Sequence, residues 1–207
     1  RIADGLSDAE RARLAGFDDD PFAQWDALQG MARALLVEAA SPGRTLDAAR
    51  LAQLLPAIDA SARAASSSNP AFAALLLHLP TLGDLIQDVR DADPDHIQAQ
   101  RVALRQAVAS RLEDMLVPLA ERSSPDRSGG RGFDPSAAAA GRRSLRTAAM
   151  SLLSALGGRH EALLARAFET APTMTESLGA LTALSAIESE AFDRALREYV
   201  RRWAFRH

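Results

Sequence analysis

Residues 93–119 read DPDHIQAQRVALRQAVASRLEDMLVPL, and this stretch decides the fold. Asp93-Pro94 is a helix start. Asp accepts hydrogen bonds from the free N–H groups of the first turn, and Pro tolerates the first helical position because its missing N–H would have had no partner there. Behind it, Ile97, Leu104, Val108, Leu112, Met115 and Leu119 recur at the spacing that brings apolar side chains onto one helix face. The spacing predicts one long amphipathic helix, kinked near Pro118.

The same start signal recurs on either side, at Asp20-Pro21, Asn69-Pro70 and Asp134-Pro135. Ser7 with Glu10, and Thr173 with Glu176, have the spacing of a capping box. After Pro21 the stripe is Phe22, Trp25, Leu28, Ala32, Leu35, Leu36 and Ala39. After Pro135 an Ala-rich run reaches Leu156 and stops at Gly157-Gly158. A last helix carries Phe192, Leu196, Tyr199 and Trp203. Shorter helices are expected over 46–54 and 57–65, separated by Pro56, and over 71–79, 82–90, 159–170 and 175–188. No segment reads as a strand. The expectation is an all-α chain of about ten helices in antiparallel pairs, an armadillo- or HEAT-like α-solenoid forming one domain over residues 1–207. A closed irregular bundle is the other arrangement open to this pattern. Residues 123–133, with Ser128-Gly129-Gly130-Arg131-Gly132, read as a flexible loop.

Composition narrows the function. Of 207 residues, 47% are hydrophobic and 25% charged, which suits a packed globular chain and not a disordered one. The net charge of −3 gives no basic footprint for nucleic acid. With no Cys there is no disulfide, thiolate metal site or Cys nucleophile. The apolar runs are too short to span a bilayer, and the N-terminus does not read as a signal peptide. Because the chain opens on Arg1 without Met, it is expected to be a segment of a longer one.

No catalytic set can be assembled. His160-Glu161 begins like the zinc motif HExxH, but the second His would fall at Leu164. His160 therefore reads as a helix-start residue, His78 as a packed core residue and His96 as solvated. The acidic runs Asp18-Asp19-Asp20 and Asp91, Asp93, Asp95 lack the alternation, Gly and terminal Glu of a calcium loop, and precede helices where acids cap. The glycine-rich loop lacks the P-loop pattern. Arg142, Arg143 and Arg146 cluster in sequence and are a candidate contact for an anion or a peptide carboxylate.

Five segments, in order, resemble one family. Asp18-Asp19-Asp20-Pro21-Phe22-Ala23-Gln24-Trp25 is similar to the hDsDPFnRW stretch that begins the C-terminal helical domain of bacterial aminopeptidase N. The segments at 70–80, 93–104, 141–146 (Gly141-Arg142-Arg143-Ser144-Leu145-Arg146) and 173–181 (Thr173-Met174-Thr175-Glu176-Ser177-Leu178-Gly179-Ala180-Leu181) are similar to its later motifs. Thr173 and Thr147 stand where the family has Asn, and Glu176 where it has Asp. The resemblance implies a parent zinc aminopeptidase whose HExxH…E site and substrate motif lie in other domains, with no cofactor in this one. Its partners would be the catalytic and β-domains of the same chain and a peptide substrate. It implies that this helical domain covers the cavity and controls access, and that more helices follow His207. By analogy Thr173, Met174, Thr175 and Glu176 are the expected cavity-facing element, where a helix N-terminus offers N–H groups to a peptide. A cytoplasmic monomer is expected. A free-standing helical-repeat scaffold for a protein partner is the rival reading. Apolar surface is expected near Phe22/Trp25 or Tyr199/Trp203.

Overall fold

Helix starts fall close to the Asp-Pro and Asn-Pro pairs. The computed structural model describes residues 5–122 and 133–203. Among them run α1 (Asp8–Phe17), α2 (Pro21–Ala39), α3 (Ala48–Ser68), α4 (Pro70–Leu76), α5 (Leu82–Ile86), α6 (Pro94–Glu121), α7 (Ala137–Leu153), α8 (Glu161–Glu169), α9 (Met174–Leu184) and α10 (Glu190–Trp203), with a 3-10 stretch, Ser154–His160, between α7 and α8. The described residues contain no strand. The Asp20 carboxylate accepts from Phe22 N at 3.0 Å, and one Asp93 oxygen accepts from Asp95 N and His96 N at 3.0 and 3.2 Å. The acidic runs thus act at these two positions as caps, satisfying first-turn donors that would otherwise need water.

Several boundaries differ from expectation, each for a physical reason. The two helices expected around Pro56 are one, α3. Pro56 removes a single N–H, and both it and Ala52, whose carbonyl loses that bond, are exposed, so water can take the acceptor. Buried Leu54 and Ile58 hold the helix on either side. Pro118 lies inside the last turn of α6, which runs on to Glu121. At Asp134-Pro135 the helix begins two residues late: Asp134 accepts from Ser136 N at 2.9 Å, and Ser136 caps α7 by accepting from Ala139 N at 3.2 Å. Past Leu153 the helix tightens to 3-10 and kinks at Gly157 (φ 66°, ψ −147°), a backbone conformation that glycine adopts without Cβ strain. The flexible-loop reading of 123–133 falls outside the described residues except at Phe133.

The packing order runs along the chain. Helices α1, α2 and α3 pack together at one end, and α8, α9 and α10 at the other; α4 and α6 both pack on α7 between them. The long helix α6 is the common axis, touching α2, α3, α5, α7, the 3-10 stretch and α8. Ile97, Leu104, Val108, Leu112 and Leu116 on its inner faces have no solvent exposure. The buried residues form one continuous core rich in Leu and Ala. Small Ala side chains let helix axes approach closely, and Leu fills the space between them. Among the described residues no helix is long and apolar enough to cross a membrane.

Of the two places where apolar surface was expected, Phe22 is 67% exposed, its ring tilted against Trp25 at 5.9 Å between centroids. Trp25 and Tyr199 pack in part against the core.

Candidate functional site

The segment expected to face a cavity, Thr173 to Glu176, divides into an inner and an outer pair. Thr173 is extended (φ −121°, ψ 157°) and caps α9, its hydroxyl accepting from Glu176 N at 3.2 Å and donating to Glu176 Oε2 at 3.0 Å. Ser177 Oγ donates to the Thr173 carbonyl at 3.0 Å. Glu176 is 2% exposed and turns inward, its Oε1 3.5 Å from Arg146 Nη1. Met174 and Thr175 point the other way and are exposed, and Leu178, one turn beyond Met174, is exposed with it.

Arg146 explains why Glu176 is held inside. It is 8% exposed, and its Nε donates to the carbonyl of Ala120, in the last turn of α6, at 3.1 Å. One guanidinium therefore ties the end of α6 and the start of α9 to α7. Burial pushes the Arg146 pKa down, and the Glu176 charge opposes that. The pair satisfies groups that would be costly if left alone in the interior.

The three arginines do not form one anion patch. Arg142 is exposed. Arg143 Nη1 donates to the Asp134 carbonyl at 2.9 Å, and its guanidinium lies 4.7 Å from the centre of the Phe133 ring, a cation–π contact that orders the entry to α7. Arg146 is buried in the ion pair.

The histidines are likewise dispersed. His160 starts α8 as expected, with its Nε2 2.8 Å from Glu113 Oε1 on α6; the imidazole and the Arg159 charge both hold the Glu113 carboxyl below its usual range. His78 is not a core residue but lies exposed in the turn after α4. His96 is not simply solvated: its Nε2 is 2.9 Å from the Ala39 carbonyl and ties the end of α2 to the start of α6. Among the described residues no three His, Asp or Glu side chains come together to hold a metal ion. The resemblance implies a zinc site in another domain, and the described side chains of this one offer no set of three ligands for it.

Two glycines in the family-like motifs acquire a reason that sequence alone did not supply. A Cβ on Gly141 would stand 3.0 Å from the backbone N of Ala71, and one on Gly179 would stand 3.1 Å from both Oγ1 and Cγ2 of Thr147. Gly141 lets α4 lie directly on α7, with a rigid backbone opposite. Gly141→Val is therefore expected to destabilise the chain by about 1–3 kcal/mol through overpacking, read as a lower urea midpoint with an unchanged slope. A midpoint equal to that of the native chain would mean that α4 does not sit this close.

The comparisons with known proteins agree with this architecture. A family model described as "Domain of unknown function (DUF3458_C) ARM repeats" matches residues 8–207. Aminopeptidase N of Caulobacter vibrioides is 35% identical over 199 residues, which is 94% of this chain and 22% of that protein. The chain thus spans about a fifth of the length of this relative. The crystal structure of Legionella pneumophila aminopeptidase A in complex with aspartic acid matches 99% of the chain with a TM-score of 0.76, using 24% of its own length at 24% identity. A likeness at that identity speaks to the fold alone. The resemblance to the C-terminal helical domain of bacterial aminopeptidase N, read from five short segments, thus extends over nearly the whole sequence. With a matching family model over residues 8–207 and a stacked helical fold, the chain belongs to the DUF3458_C family of ARM-repeat domains.

Proposed function

We propose that this chain is the non-catalytic helical domain of a zinc-dependent aminopeptidase, which removes N-terminal residues from peptides, and that it covers the active-site cavity and governs access to it. The observation that carries the reading is the 35% identity to aminopeptidase N along 94% of the chain, a match that occupies only 22% of that relative. The remaining length is where the catalytic machinery would lie, and other domains of the same chain would be the partners. The exposed side chains of Met174 and Thr175 at the start of α9, and of nearby Leu178, are the part of the expected cavity-facing element available for contact. Glu176 instead would act from behind, fixing the angle at which α9 presents them. The zinc-activated water and the bond cleavage belong to the catalytic domain.

The test compares two samples supplied with zinc and alanine-p-nitroanilide: this chain, and the full product of its reading frame. Hydrolysis by the full product alone is expected. Hydrolysis by neither would shift the reading to a helical-repeat scaffold, and hydrolysis by the chain itself would overturn the non-catalytic assignment.

A further inference from the structure

The turn between α1 and α2 is held by its own hydrogen bonds and left bare. Asp18 Oδ1 accepts from Asp20 N at 2.9 Å, Asp20 Oδ1 accepts from Phe22 N at 3.0 Å, and Gln24 Nε2 donates to the Asp18 carbonyl. These bonds fix the first turn of α2, and Phe22 projects from it. At 67% it is the most exposed large apolar side chain among the described residues. Phe133, next at 61%, carries the Arg143 guanidinium over its ring, whereas the Phe22 ring meets the partly buried Trp25. At the same turn Leu6, Glu10, Arg13, Leu14 and Asp18 line an open depression of about 400 Å³. Asp18 thus borders the depression and, through Asp20, is bonded to the residue that carries the ring.

The charge beside the ring has one sign. From Leu14 to Ala32 the sequence holds Asp18, Asp19, Asp20 and Asp26 and no basic residue; Arg13, at the edge of the depression, is the nearest base along the chain. Asp26 lies one turn beyond Phe22 on the same side of α2, and it is exposed, as are Asp19 and Asp20. None of these four carboxylates is ion-paired among the described residues, although Arg33, Arg44, Arg50 and Arg63 all find an acid. Asp18 and Asp20 serve the turn, but Asp19 and Asp26 accept no hydrogen bond from any described residue. An aromatic side chain with charged groups around it is the anatomy of a protein interface, in which the ring loses its water and the charges select the partner. A ring already fixed by its turn gives up little freedom on docking.

We propose that Phe22, with Trp25 and the carboxylates beside it, docks onto another domain of the parent chain, on a surface that offers an apolar pocket for the ring edged by Arg or Lys. Two observations choose this occupant. The match to aminopeptidase N takes up 94% of this chain but 22% of that relative, so most of such a polypeptide lies outside this domain and is at hand to cover it. The groups beside the ring are carboxylates, which a basic surface complements and which the same face of a second copy would repel. The inference rests on the reading of this chain as one domain of a larger aminopeptidase, and adds which face meets a neighbour and with what charge.

Hydroxyl-radical footprinting of the full product of the reading frame, beside the 207-residue chain, tests this. Phe22 should be oxidised at least about tenfold more slowly in the full product, the protection expected when an exposed ring becomes the core of an interface. Met31, buried on the same helix, should react slowly in both samples, so that a difference at Phe22 does not come from unfolding of α2. The double reversal Asp19→Arg/Asp26→Arg removes no hydrogen bond among the described residues. In the full product it should bring the Phe22 rate to within about twofold of that in the chain alone, because like charges would then face each other, while Met31 stays slow. Equal Phe22 rates in the two native samples would overturn the proposal, as would a reading frame that holds no further domain. So would protection that the charge reversal leaves in place, or protection that the chain acquires by itself as its concentration rises, which would assign the face to a second copy. Hydrolysis of alanine-p-nitroanilide by the same samples keeps the two readings apart. Hydrolysis by a full product with Phe22 unprotected would sink the docking face and leave the aminopeptidase reading standing; protection of Phe22 without hydrolysis would do the reverse.

Discussion

Glu176→Ala is expected to cost about 3–5 kcal/mol of folding stability, the largest effect of any single substitution considered for this chain. The residue is 2% exposed and faces Arg146, itself 8% exposed. Removing the carboxylate leaves a guanidinium in the interior with the Ala120 carbonyl as its remaining partner among the described residues, and it also removes the acceptor of the Thr173 hydroxyl. The loss should far exceed that of an N-cap change, which is about 1 kcal/mol. Urea unfolding followed by circular dichroism measures it. The double variant Arg146→Met/Glu176→Leu separates pairing from packing, because it replaces both charges by apolar groups of similar size. It is expected to recover most of the stability lost in Glu176→Ala. A double variant as unstable as the single one would show that the cost lies in the shape of the site and not in the stranded charge.

The second large effect is expected at Leu112. This side chain has no solvent exposure, and α6 is the helix on which both ends of the array converge. Leu112→Ala removes apolar atoms and leaves a cavity that neighbouring helices can close only in part, at a cost of about 2–5 kcal/mol. Val102, on the same helix but 38% exposed, serves as the control: Val102→Ala should stay within about 1 kcal/mol of native. The two urea midpoints decide the matter. Equal shifts would mean that α6 is not the buried axis.

Much of the fold was legible because helices announce themselves locally. The caps at Asp20, Asn69, Asp93 and Thr173 each hold a backbone N–H within three residues, so the spacing that reveals them in sequence is the spacing at which they bond. The stripe Ile97, Leu104, Val108, Leu112 was readable for the same reason, since helical periodicity places those residues on one side whatever lies against them. Pro56 misled because the cost of a proline inside a helix depends on whether the stranded carbonyl meets water, and exposure is not a local property.

The candidate site was legible only as a list. The sequence placed Thr173 and Glu176 at capping distance, and that bond forms. It grouped Arg142, Arg143 and Arg146 by proximity along the chain, whereas the structure sends one to solvent, one onto Phe133 and one into the core. It gave no reason to join Gly141 to Ala71, whose backbone a Cβ at 141 would meet.

By itself the sequence determined an all-α chain, the starts of most helices and the faces they bury, because each rests on hydrogen bonds and periodicity within a few residues. The tertiary structure alone decided which charges are paired and which are left with neutral partners, and where a glycine must stay bare. Those outcomes depend on which helices become neighbours, and close packing between distant segments has no counterpart in local spacing.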